Sequence, residues 1–133
     1  VGSEMCIRDR CKDSTFLGFK VVTMSAVREM GLQRLIEIVK GRVGHHKVFV
    51  TFDIDVVDPA FAPGTGTPEV GGFSSSEAIE LIRGLKGLDF AGFDVVEVLP
   101  DYDVAEITAL LAANIIYEFL SLIALNKKMS VSH

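Results

Sequence analysis

Val48-Phe49-Val50-Thr51-Phe52-Asp53-Ile54-Asp55 is the stretch that decides the fold. Val48 to Ile54 is a nearly continuous apolar run, rich in β-branched and aromatic side chains, and reads as a parallel-sheet strand buried on both faces. A loop from Val56 to Phe73, loaded with Pro and Gly, follows it. Ser74-Ser75-Ser76-Glu77 then fits a capping box, with Ser74 as N-cap, opening a helix to about Leu85. Phe90 to Val98 is the next buried strand. Asp103 with Glu106 repeats the acidic capping pattern ahead of a long apolar helix, Val104 to Leu125. Upstream, Leu32, Leu35, Ile36, Ile38 and Val39 make a helical stripe ending near Gly41, and Phe19 to Met24 is a short strand candidate. The β-α-β-α-β-α order predicts parallel strands, right-handed crossovers and helices on both faces of an open sheet.

The composition suits one packed domain. The chain has 133 residues, 49% of them apolar, with 18 acidic against 13 basic side chains and a formal charge of −5. Its mean hydropathy is +0.38 and its pI about 5.1, which excludes a disordered segment. No Lys/Arg cluster exceeds Lys127-Lys128, so nucleic acid and anionic membrane are not expected partners. Two cysteines build neither a zinc ribbon nor a disulfide framework. The last helix has the length of a membrane span, but Glu106, Asn114, Tyr117 and Glu118 interrupt it, and a buried helix is the expectation.

Val1 to Arg10 (VGSEMCIRDR) has neither alternation nor a helical stripe. Glu4 to Arg10 resembles the translated end of a transposon used in sequencing libraries, so residues 1–13 read as a non-native scar. The native protein is then expected to begin upstream. Both cysteines, Cys6 and Cys11, fall there; residues 14–133 have none, which suits a reducing, cytoplasmic setting.

The chemistry concentrates at Asp53-Ile54-Asp55. Residues two apart on a strand share a face, so both carboxylates project together at the carboxyl end of a central strand. Close carboxylates repel, and a divalent cation such as Mg²⁺ or Mn²⁺ relieves that repulsion. The same pair can instead be Asx-type caps at a strand exit. Asp58 reads as a loop-shaping residue. His45 and His46 precede the strand, roughly 23 Å from Asp53 at about 3.3 Å per residue, and cannot share its ion; His133 is terminal. The loop from Ala62 to Gly72 is stiff and brings backbone over the aspartates; it lacks the phosphate-cradle pattern. Glu97 rises on the same rim, either as a simple rim residue or as a carboxylate able to clasp a planar cation.

Thr51 to Pro59, Ala62 to Pro68, Gly71-Gly72, Asp94 to Val98 and Tyr102-Asp103-x-x-Glu106-Ile107-Thr108 together resemble the ureohydrolases, the arginase and agmatinase family, in its agmatinase branch. The resemblance covers roughly residues 17 to 125. It implies an arginase-like, three-layer α/β/α fold with a mainly parallel sheet, incomplete here, residues 14–133 being the C-terminal part of a single domain. It further implies a two-manganese (Mn²⁺) centre, with Asp53 bridging both ions and Asp55 on one, and a substrate guanidinium taken by Glu97 and Thr67. No catalytic group beyond the metal ligands is implied in this chain.

The implied reaction is hydrolysis of a small cationic guanidino compound, agmatine first and a guanidino acid such as 4-guanidinobutyrate second, to urea and an amine. The family's remaining metal ligands, a histidine and an Asp/His/Asp set, would lie upstream. The isolated chain is therefore expected to bind Mn²⁺ weakly without turnover, and the full-length form to be a homo-oligomer. Two rival classes remain: phosphoryl or glycosyl transfer using the Asp-x-Asp as a metal clamp, and a non-catalytic subunit that assembles through its apolar last helix.

Overall fold

The computed structural model describes residues 18–131, so the N-terminal scar assigned to residues 1–13, and His133, lie outside the described residues. The elements in chain order are α1 (Met24–Met30), α2 (Leu32–Val43), β1 (Lys47–Asp53), α3 (Ser75–Gly84), β2 (Asp89–Val96) and α4 (Ile107–Val131). β1 and β2 pair in parallel, joined by the crossover through α3.

One side of this two-stranded sheet faces the helices. Val48, Val50 and Phe52 of β1 pair with Phe90, Phe93 and Val95 of β2, and Val50, Phe52, Phe90, Phe93 and Val95 pack toward the core. That match depends on a bulge. Val48 opposes Phe90 but Phe49 opposes Gly92, so Ala91 is an extra residue that changes the parity of the strand. Phe119 of α4 closes the core, stacked on Phe93 with ring centroids 4.8 Å apart and edge-on to Phe90 at 6.1 Å. Arg83 of α3 donates from Nε to Glu118 of α4 at 2.9 Å, tying the two helices together.

Several expectations need correction. Phe19 to Met24 is not a strand. Thr23 accepts the Ala26 N–H at 3.3 Å and caps α1 instead, and the two-stranded sheet of the described residues does not include this segment. The helix expected to stop near Gly41 runs to Val43, because the left-handed turn that ends it is at Gly44 (φ 58°). β1 is not buried on both faces. Its outward positions are open, with Phe49 61% exposed, since the helices of the described residues all lie on the other side.

The long helix begins at Ile107 rather than Val104, because Ala105 (φ 50°) and Glu106 (φ 61°) are left-handed and cannot be its first turn. Asp103 alone does the capping, accepting from the N–H groups of Val104, Thr108 and Ala109 at 2.9, 3.0 and 2.9 Å. α4 is also buried along one stripe only (Leu111, Ile115, Phe119, Leu122), while Leu110, Tyr117 and Leu120 are exposed. By length and composition it could cross a membrane. Its packing against α3 and β2 makes it a core helix of the described fold. The capping box at Ser74 and Glu77 is present as expected, with both reciprocal hydrogen bonds.

Candidate active site

β1 ends at Asp53, and the chain turns at once into a single 3-10 turn, Ile54–Val56, locked by the fully buried Ile54. Asp53 Oδ1 accepts the Asp55 N–H at 3.3 Å, so Asp53 does cap the strand exit. The two readings of the Asp-x-Asp therefore coexist: one oxygen holds the turn, and both carboxylates stay at the rim.

Twelve residues on, the loop returns to this point. Thr67 Oγ1 donates to Asp55 Oδ2 at 2.7 Å. Beside it, a Cβ placed on Gly66 would stand 4.0 Å from Glu97 Oε2, so this stretch lies between Asp55 and Glu97. β2 ends at Val96, one residue before Glu97, and Glu97 adopts a left-handed φ of 62°. Because β2 runs parallel to β1 with Asp53 opposite Val96, Glu97 leaves the sheet on the same rim as Asp53.

Electrostatics express the convergence. Burial raises the Asp53 carboxyl above its ordinary value, and the negative charges of Asp55 and Glu97 push the same way, against the lowering effect of the Asp55 N–H. A carboxylate that feels two others at the same rim suits a cationic guest.

The rest of the loop is tied down by Asp58, as its loop-shaping assignment anticipated. Asp58 accepts the Ala60 N–H at 2.9 Å and the Gly71 N–H at 2.8 Å, and these two bonds, with Arg28 nearby, hold its pKa low despite a small opposing effect of burial. Val57 bridges Phe73, and Gly72 packs so closely on this segment that a Cβ there would lie 2.6 Å from the Val56 carbonyl. Arg28 of α1 donates to the Gly72 carbonyl and to Glu77, each at 2.8 Å.

Asp53, Asp55, Thr67 and Glu97 are thus brought together, whereas His45 and His46 stand before β1 at the far end of the sheet. Among the described residues no three His, Cys, Asp or Glu side chains are grouped as a metal site. Two polar atoms that the sequence reading gave no role are buried without a partner among the described residues: Thr65 Oγ1 in the loop and Asp94 Oδ1 on β2. Asp94 had appeared only as part of a motif, since strict alternation along Phe90 to Val98 gives no sign that the bulge turns it away from the helices.

The chain is similar to known proteins in sequence and fold. The family model described as the arginase family matches residues 3–121. The chain is 53% identical over 110 residues to an agmatinase from Enterobacter sp. (strain 638), covering 83% of this chain and 36% of that protein. A hypothetical agmatinase from Burkholderia thailandensis superposes with a TM-score of 0.81 at 46% identity, over 85% of this chain and 36% of that one. Proclavaminate amidino hydrolase from Streptomyces clavuligerus gives 0.83 at 44% identity, over 86% and 38%. The expected arginase-like α/β/α class, incomplete in this chain, holds. The chain spans between 27% and 36% of the length of the curated relatives it matches. With most of its length matched to one family model and its sheet superposing on solved members, the chain belongs to the arginase family.

Proposed function

We propose that this chain carries part of the active site of a divalent-metal ureohydrolase that cleaves agmatine to urea and a primary amine. The observation that carries the reading is the junction at the rim: Thr67 bonded to Asp55, with Glu97 facing the same loop and repelling Asp53. Asp53 and Asp55 offer hard oxygen donors and an unrelieved repulsion, which fits part of the shell of a divalent ion such as Mn²⁺. When bound, such ions supply a water activated near neutral pH for attack on the guanidinium carbon. The residues of this chain do the rest. Glu97 accepts the guanidinium N–H groups and holds the planar cation. Thr67 has committed its proton to Asp55, so its oxygen presents only lone pairs, and a guanidinium has only donors to offer. The negative charge of the chain favours approach of a cation.

A guanidino acid is the second substrate reading, favoured by the likeness to proclavaminate amidino hydrolase. A cytoplasmic location and a homo-oligomeric full-length form belong to the same proposal. The 133-residue chain alone takes up Mn²⁺ weakly and releases no urea. A longer protein containing this segment releases urea from agmatine with Mn²⁺. There Glu97→Gln lowers kcat/KM tenfold to a hundredfold, the loss of a charged hydrogen-bond contact of about 1.5–3 kcal/mol. Urea release that ignores Glu97→Gln would overturn the assignment, as would consumption of a phosphoryl or glycosyl donor with none of agmatine.

A further inference from the structure

Gly64 is where the loop, the end of β2 and the start of α4 meet. Its N–H donates to Thr108 Oγ1 at 2.7 Å, and its carbonyl accepts the Leu99 N–H at 2.8 Å. Thr108 is fully buried in the first turn of α4, and its own N–H donates to Asp103 Oδ1 at 3.0 Å. Asp103 also fills the space beside Gly64: a Cβ there would lie 2.7 Å from Asp103 Cβ, so the loop can approach the helix this closely only as glycine. Two residues beyond Gly64 comes Gly66, facing Leu99 and Glu97, and then Thr67, the donor to Asp55. Two residues before Leu99 stands Glu97 itself. A single buried hydroxyl therefore fixes the register of both segments that supply Thr67 and Glu97.

We propose that Thr108 is a positioning residue for the candidate active site: by accepting the Gly64 N–H it holds Thr67 on Asp55 and Glu97 opposite them. This rests on the reading of those carboxylates as the cation and guanidinium site. Thr108 touches no reacting group. Its effect passes through Gly64 in two directions, along the loop to Thr67 and through Leu99 to Glu97. Without the hydroxyl, the Gly64 N–H is left buried with no acceptor, and the loop must shift to find one.

The test compares Thr108→Val, which keeps the shape and removes the hydroxyl, with Thr108→Ser, which keeps the hydroxyl. Ile115→Val is the control, trimming the buried stripe of the same helix away from the loop. In the full 133-residue chain, amide hydrogen exchange is followed at Gly64 and Leu99, and Mn²⁺ affinity is measured from the spin resonance of the free ion. Thr108→Val is expected to speed exchange at both amides well beyond Ile115→Val and to weaken Mn²⁺ binding about tenfold, the low end for loss of an indirect ligand contact. Thr108→Ser restores both. Exchange no faster than in Ile115→Val overturns the proposal, as does unchanged Mn²⁺ affinity with a loosened loop. If the unsubstituted chain takes up no Mn²⁺, the reading of the carboxylates fails on its own. The exchange rates, with their rescue by serine, then decide whether Thr108 holds the loop.

Discussion

At Asp53 one carboxylate accepts the N–H of Asp55 while standing against the charges of Asp55 and Glu97. Burial raises its pKa first, and the two neighbouring charges add to that. A carboxyl whose folded pKa exceeds its unfolded one binds its proton more tightly in the fold, so stability falls as pH rises from the ordinary aspartate range through the raised value. An asparagine in its place cannot ionise and still offers an oxygen to the Asp55 N–H. Asp53→Asn is therefore expected to raise the metal-free melting temperature by a few degrees at about pH 7 and by nothing at about pH 3, where both states are protonated. Thermal unfolding at the two pH values checks this, and an equal effect at both would show that repulsion is not its source. Glu97 tells the same story in the backbone. A non-glycine residue at φ 62° costs about 1 kcal/mol or more, and glycine there would relieve it only by deleting the carboxylate.

The elements that hold these residues were unevenly legible in the sequence. Ser74 and Glu77 were readable because a capping box is a local pattern, and the structure contains both of its bonds. The rim positions of Asp53, Thr67 and Glu97 followed from parallel strands and from the motif. The Phe19–Met24 segment was misread because its β-branched residues suit a strand, while the choice fell to Thr23 as a helix cap. The start of α4 was misplaced because Ala105 and Glu106 are left-handed without being glycine, which no local pattern announces. Thr108 appeared only as the end of a motif, without a role, because its partner lies 44 residues away.

At this scale the capping box of α3 yields a measurable consequence. Ser74→Ala is expected to cost about 1 kcal/mol, or roughly 4–8 °C in a domain of about a hundred residues. The Ser74 N–H, then the Ser74 hydroxyl and Arg28, hold the Glu77 pKa low against burial. Its stabilisation is therefore present above the ordinary glutamate range and lost as pH falls through the lowered value. Glu77→Gln should melt lower than the native chain near neutrality, with the gap closing in acid; a gap independent of pH would remove charge from the explanation.

At the scale of the fold, the helices of the described residues cover one face of the sheet and leave the other open, and α4 shows Leu110, Tyr117 and Leu120 to solvent. Exposed apolar area of this kind belongs to contact surfaces, in keeping with a chain that spans about a third of its curated relatives. The carboxylate cluster sits where the two strands end, so its geometry is set by how those strands are phased. That phase turns on Ala91. Counting from Phe90 in strict alternation would send Asp94 under Phe119 and Phe93 into water, the reverse of what is found. The strand thus contains one spare link. Deleting Ala91 leaves every pair from Phe49–Gly92 to Asp53–Val96 as it is and merely straightens the ribbon, whereas deleting Phe93 uses up the same link but removes the ring stacked on Phe119 and leaves Gly92 opposite Val50. Heat unfolding should find the first shortened chain within a few degrees of its parent and the second unfolded, an inequality between two single-residue losses, two positions apart, that composition alone would never suggest.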